Sequence, residues 1–393
     1  MKTNILKSAL CAALAVVAAA CSSTDAPTAT VDQEVINLDA TQVVATLNDA
    51  AVQPSAASLN LADHTLTLAG VIPGEDLVIN VNTTNSPDGL AFEGSGSCTP
   101  SINPEANHVA NILVNVRGTI INGIANIIVR TGAAIEQNRA MVGEWSLINK
   151  VTYGGSIWDP TIESSPLLLK WDAAHNLELM ISQIGAAMVY QNFKSLKLND
   201  DATCQFTYCP DMTFEMAMPN PDSTMPEPTH NNWVTTDRNQ FFWYVRNDRL
   251  CIVPNVYKML SDRLAAINNG QPYRSRAIDE ERFDSIQVQV VESIRWVREF
   301  AKQWAAPGLT FKYTLNGDNL SIYWDKPMLD PIMKVDFIFP YLQDKLDALA
   351  ATDPDTAEMI TMLLQFGGMQ SVADIQNVWD RTTVFELSLN FSR

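Results

Sequence analysis

Histidine is almost missing from this sequence, with four residues in 393. His64, His108, His175 and His230 all lie in polar, loop-like settings and read as exposed loop residues rather than catalytic bases. No G-x-S-x-G elbow, H-E-x-x-H, P-loop or G-x-G-x-x-G occurs. A histidine-based triad therefore has few candidates, and the common zinc and nucleotide motifs have none. Cations are scarce too: 26 Lys and Arg stand against 44 Asp and Glu, a formal net charge of −18. Binding phosphates needs clustered cations, so nucleic acid is not an expected partner, nor are anionic lipid headgroups. The same acidity helps keep an exported protein soluble. A calcium loop is also missing, because Asn199-Asp200-Asp201 lacks the spaced ligands and terminal Glu of an EF-hand. No cofactor is implied.

Long apolar runs are missing beyond the N-terminus. Lys2 and Lys7 precede Ala9 to Ala20, which holds no charged residue. That length suits a signal-peptide core and is too short to span a bilayer as a helix. The run ends in Ala18-Ala19-Ala20-Cys21, which resembles a lipobox with Ala18 in the place usually held by Leu. It also fits the A-x-A site of ordinary secretion. The expected mature chain is a lipoprotein of the cell envelope, placed at the outer membrane and attached to it by lipid on Cys21. Residues 1–20 are then the signal, and residues 21–35 a polar tether with little to pack. Three acyl chains exceed what stable anchoring needs.

There are six cysteines. Cys11 leaves with the signal and Cys21 takes the lipid. Cys98, Cys204, Cys209 and Cys251 remain, an even number for an oxidising compartment. Cys204, Cys209 and Cys251 lie in neighbouring strand-like segments and are disulfide candidates. The alternative is that all four are small buried thiols. A zinc site is disfavoured, since no pair has C-x-x-C spacing.

The expected fold is mainly β with inserted helices: a small all-β unit over 36–131, then a β-barrel over 140–393. In the first unit Leu66-Thr67-Leu68 and Leu77 to Val81 are strand-like on either side of Pro73-Gly74. Asn111 to Val116, Gly118 to Ile121 and Ile124 to Val129 follow, with Asn122-Gly123 a hairpin signal. Asn82 to Gly89 and Gly94 to Pro104 read as loops, and Gly132 to Ala140 as a helix-compatible boundary. In the second unit the strand-like runs are Leu167 to Leu169, Phe193 to Leu198, Thr203 to Tyr208, Phe241 to Val245 with Leu250 to Val253, Phe311 to Leu315 with Leu320 to Trp324, and Val384 to Phe391. Turns of four residues, Arg246 to Arg249 and Asn316 to Asn319, join the two hairpins. Helical stripes run through Val256 to Ile267 and Ile286 to Trp304. Further helices follow Asp353-Pro354 and Ser371.

Gly143-x-Trp145, Pro166 to Asp172, Phe193 to Leu198 with Asp200 to Thr203, Phe242 to Asn255, Tyr313 to Pro327 and Phe385 to Phe391 follow one another in order along the second unit. On these pieces the unit resembles a family of lipoproteins from gut Bacteroidetes with no established activity and a lipocalin-like, or calycin-like, C-terminal domain. The resemblance covers about two-thirds of the chain and implies an antiparallel lipocalin-like barrel and an envelope location. It carries no catalytic residue across. Gly-x-Trp has a structural role at such a barrel's start, the Trp packing across its floor.

For function, the aromatic loop Tyr153 to Asp159 is the most suggestive local feature. Tyr153, Trp158 and Asp159 combine ring faces with a carboxylate, a set suited to stacking on and hydrogen-bonding a sugar. Trp158 as a cover for the barrel rim is the plainer reading. The expected role is non-catalytic binding of a glycan, an apolar small molecule or an envelope protein. One alternative is a carboxylate-dependent hydrolase of extracellular polysaccharide or lipid, for which Glu144, Asp159, Asp172 and Asp325 are the acids near aromatics. Another is a structural component of an outer-membrane complex.

Overall fold

The computed structural model describes residues 35–72, 76–100, 112–134, 139–156, 159–211, 217–255, 258–259, 309–333 and 338–393. The chain is mainly β, with one half-barrel sheet and one closed eight-strand antiparallel barrel.

The first sheet uses β1 (Val35–Asp39), β2 (Val43–Leu47), β3 (Ala50–Val52), β4 (Ala56–Asn60), β5 (Thr65–Ala69), β6 (Leu77–Ser86), β7 (Gly89–Cys98), β8 (Ile112–Ile121) and β9 (Ile124–Ala134). Their order is β1-β4-β5-β6-β7-β8-β9-β2-β3. All neighbours are antiparallel except β2 and β9, which run parallel with Ala45 opposite Ile127. One face carries Leu47, Leu59, Leu68, Ile79, Val114, Ile127 and Val129, all buried in one core.

Of the segments read as loops, residues 101–104 lie outside the described residues, while Asn82 to Ser86 and Gly94 to Cys98 are strand. Their Asn, Thr and Ser residues fill the solvent face of long strands whose other face is apolar. Gly118 likewise does not interrupt β8. A Cβ there would lie 2.4 Å from Phe92 Cζ, so glycine makes room for that ring in the core. Asn122 and Gly123 form the expected two-residue turn, with φ of 52° and 77°. Of the stretch read as helix-compatible, Gly132 to Ala134 ends β9 and Arg139–Met141 makes a single 3-10 turn; residues 135–138 lie outside the described residues.

The barrel begins with β10 (Gly143–Leu147). The hairpin β11 (Thr152–Ser156) and β12 (Asp159–Ser164) stands apart as its own small sheet, and β13 (Leu167–Trp171) pairs with the last strand. The wall continues through β14 (Phe193–Leu198), β15 (Thr203–Tyr208), which also pairs the short β16 (Val234–Thr235), then β17 (Phe241–Arg246), β18 (Arg249–Pro254), β19 (Leu309–Asn316), β20 (Asn319–Asp325) and β21 (Phe385–Ser392). Leu147 pairs with Phe391 and closes the ring. Both expected hairpins are present with two-residue turns. Asn247 and Asp248 have φ of 48° and 55°, and Gly317 has φ of 61°.

Helices pack where β13 and β21 meet. They are Lys326–Met333, Ile338–Thr352, Pro354–Phe366, Asp374–Arg381 and a helical segment from His175 to Asn192 with a π turn at Ile181–Gly185. Trp171, Trp379 and Phe385 meet edge to face among them, centroids 5.0 to 6.3 Å apart. The helix expected from Asp353-Pro354 begins at Pro354. Ser371 does not cap the next one as expected. The Asp374 carboxylate instead accepts from the Gln370 and Ser371 N–H groups, both at 2.9 Å. Of the two stretches Val256 to Ile267 and Ile286 to Trp304, all but Lys258 and Met259 lies outside the described residues.

Candidate functional site

The two sheets share a wall. Along the β17–β18 hairpin, Trp243, Val245, Leu250 and Ile252 point into the barrel. Phe242, Tyr244, Cys251 and Val253 point the other way and join the core of the first sheet. Polar groups border this seam: Asn48 donates to Thr131 Oγ1 at 2.7 Å and to Asn239 Oδ1 at 3.1 Å, while the Thr131 hydroxyl donates to the Asp201 carbonyl.

Side chains occupy the barrel interior. Trp145, Trp243 and Phe391 are essentially buried there beside Leu196, Leu198 and Leu320. Trp145 Nε1 donates to the Met141 carbonyl at 2.7 Å, and the Arg393 guanidinium lies 3.9 Å from the Trp145 ring centroid. Arg393 also donates to the Val142 carbonyl at 3.1 Å. First and last strands are thus tied at one barrel end, with Trp145 in the structural role expected of it.

The first sheet carries a different kind of surface. Its solvent face holds an open polar groove of about 1210 Å3 across β6 to β9, bordered by the Asp63-His64 turn. A second hollow of about 510 Å3 continues it along the same strands. Strand register arranges the groove in rows. One row is Asn82, Glu93, Arg117 and Ile128; the next is Ser95, Asn115 and Arg130; the third is Thr84, Ala91, Thr119 and Asn126. Neighbours in a row are about 4.8 Å apart and rows about 6.7 Å apart, as pleated sheet geometry requires.

Period two produces this surface. Asn80 and Asn82, Glu93 and Ser95, and Asn115 and Arg117 alternate with buried or partly buried residues of the opposite face. Arg130 is held by Asp49 at 2.7 Å. Arg117 and Glu93 sit directly opposite on neighbouring strands, yet neither makes an ion pair with a described residue. The amides of Asn80, Asn82, Asn115 and Asn126 are likewise open to the groove. Two arginines and two acids, Asp63 and Glu93, line the main cavity, so it is close to charge-balanced in a chain of −18.

The residues singled out in the sequence lie elsewhere. Tyr153 is exposed on β11 opposite Ile162, while Asp159 starts β12 opposite Ser156. The segment is a hairpin, with Tyr153 and Asp159 toward its opposite ends. Partial desolvation raises the Tyr153 hydroxyl above its ordinary pKa. Trp158 lies outside the described residues, as do Cys21 and His108.

Three of the four acids considered for hydrolysis, Glu144, Asp172 and Asp325, are occupied locally. Glu144 accepts from Ser195 Oγ at 3.0 Å, and Asp172 from the Thr383 N–H and hydroxyl. Asp325 faces Glu386 across β20–β21, but Asp325 holds Lys312 and Glu386 holds Lys170. His175 lies 3.7 Å from Glu178, His230 contacts the Gln191 carbonyl, and His64 borders the groove. Among the described residues no cluster of His, Cys, Asp and Glu is suited to a metal, and no described helix is long and apolar enough to cross a membrane.

The disulfide expected among Cys204, Cys209 and Cys251 is not formed; all three carry thiols. Cys204 packs inside the barrel and Cys251 on the outer face of its wall, so the sheet separates them. Cys209 lies beyond β15, its thiol donating to Asn232 Oδ1 at 3.4 Å. Burial pushes the Cys204 and Cys251 thiols upward in pKa, away from the reactive thiolate.

No family model, curated protein or solved structure matches this chain.

Proposed function

We propose that the protein is a non-catalytic lipoprotein of the bacterial cell envelope, anchored through Cys21, and that it binds a glycan in the polar groove of its first sheet. One contrast carries the reading: aromatic and aliphatic side chains occupy the barrel interior, while the large open cavity lies on the other sheet and is lined by amides, hydroxyls and balanced charges. An apolar small molecule gains little from such a lining, because leaving donors and acceptors unpaired costs binding energy. A hydroxyl-rich ligand satisfies them. The barrel then serves as a packed platform behind the binding sheet. The resemblance to gut Bacteroidetes lipoproteins and the alanine run before Cys21 support the location.

Affinity electrophoresis through gels containing plant and microbial polysaccharides tests this reading. Retardation by at least one polysaccharide, with its chain length unchanged after incubation, is expected. Release of shorter sugars would turn the reading towards the hydrolase alternative.

A further inference from the structure

We infer that the groove selects an uncharged oligosaccharide, with Arg117 and Glu93 as the central pair that sets specificity. This rests on the glycan reading above and names the class of glycan.

The inference comes from the middle row of the groove. Arg117 on β8 and Glu93 on β7 are register partners, both exposed, and neither forms an ion pair within the described protein. A guanidinium offers a rigid fork of donors and a carboxylate offers only acceptors. Side by side, they present opposite halves of a hydrogen-bonding pattern at about one strand spacing. A sugar with neighbouring hydroxyls satisfies both, since each hydroxyl donates and accepts. Asn82 precedes the pair in the row, and Asn115 and Ser95 lie in the row beside it. Asparagine and serine also offer both donor and acceptor, so the surround matches a ligand without a fixed charge.

Charged glycans fit less well. A uronate or sulfate placed on Arg117 would bring its charge beside Glu93, with Asp63 also on the groove wall and a net −18 over the chain. A cationic amino sugar placed on Glu93 meets Arg117 and Arg130 in the same way. The lining offers only two rings, the His64 imidazole at the turn bordering the main cavity and Phe92 at the smaller hollow, where that ring is buried in the sheet core. Affinity therefore comes mainly from hydrogen bonds, with apolar contact from Ile128 in the same row, and is expected to be modest, with little dependence on salt.

Isothermal titration of the full chain with matched-length oligosaccharides tests this. The panel is neutral gluco-, manno- and xylo-oligosaccharides, an oligogalacturonide and a chitosan oligomer. At least one neutral member should bind, with Kd nearly unchanged from low to high salt. Arg117→Ala and Glu93→Gln should each weaken that binding about tenfold or more. Both residues are exposed, so an unchanged Tm should accompany the loss. Arg117→Lys, which keeps the charge and loses the fork, should fall between. Binding confined to the oligogalacturonide or the chitosan oligomer, and weakened by salt, would overturn the inference while leaving glycan binding intact. Neutral binding unaffected by either variant would overturn the role of this pair. No binding by any polysaccharide in the gels or any oligosaccharide in the panel would overturn both readings.

Discussion

Asn48 and Asn239 lie 191 positions apart in the chain and bond across the seam between the two sheets, at 3.1 Å. Both are buried, and both sit in the left-handed region, with φ of 51° and 72°. Asparagine tolerates that conformation better than most residues. Asn48 also accepts from the Thr131 N–H at 2.9 Å, and Asn239 donates to the Leu47 carbonyl. Asn239→Gly keeps the backbone permissive and removes the amide. The loss should be about 1–3 kcal/mol, because a buried group of Asn48 and a carbonyl are left short of partners. Urea unfolding measures it, and an unchanged midpoint would show that the seam amides contribute nothing.

Neighbouring residues of β17 should report on two different cores. Trp243→Ala opens the barrel interior and should cost about 3–5 kcal/mol. Phe242→Ala should cost a similar amount from the seam. Its distinguishing effect should be faster limited proteolysis between about Gly132 and Val142, where the chain passes from one sheet to the other. First cuts within Leu167 to Leu198 would contradict a two-unit map.

The thiols make a third test. Cys204, Cys209 and Cys251 are fully or almost fully buried. A maleimide should label none of them in the native protein and all three after unfolding without reductant. A mass showing any two of them still linked under those conditions would restore the disulfide.

Asp172 gives the chain a defined acid response. The Thr383 hydroxyl, and then N–H groups of the backbone, hold its carboxyl below the ordinary aspartate pKa. A depressed folded pKa means the ionised form favours the folded state. The contribution is fully present above about pH 3.9 and is lost as pH falls through the lower folded value. Asp172→Asn should therefore lower Tm most near neutral pH, with the difference shrinking in strong acid. A gap that widens below pH 4 would contradict the assignment.

The anchor is tested by Cys21→Ser. The variant should move from the membrane fraction to the soluble fraction and lose labelling by radioactive palmitate. Retention in the membrane fraction by an unlabelled wild-type protein would remove lipidation from the account.

The barrel was largely legible because its strands announce themselves. Phe193 to Leu198 and Thr203 to Tyr208 run as the residues predicted, and so do the arms flanking Asn247-Asp248. Aromatic and β-branched residues suit a pleated, packed surface. Turn lengths were less legible, since Arg246 and Arg249 look like turn residues but still pair with each other. The groove was missed for a physical reason. Its residues are the polar half of an alternating pattern, scattered between positions 63 and 130, and only strand register brings them into rows. Read locally, Asn-, Ser- and Gly-rich stretches look like loops. The helical run from His175 to Asn192 was missed as well, its regular spacing broken by a π turn.

The parallel pairing of β2 with β9 sets a timetable for the growing chain. Until β9 has emerged, β2 has only the three-residue β3 beside it. Some eighty residues separate the two partners, and a chain synthesised at roughly 5–20 residues per second needs about 4–16 s to cover that interval. Contacts of such long range also form slowly once both partners exist. During that time the core face of β2, with Val43, Ala45 and Leu47, stays uncovered along its β9 side. Whatever receives the chain as it is made meets an unfinished sheet rather than a folded domain.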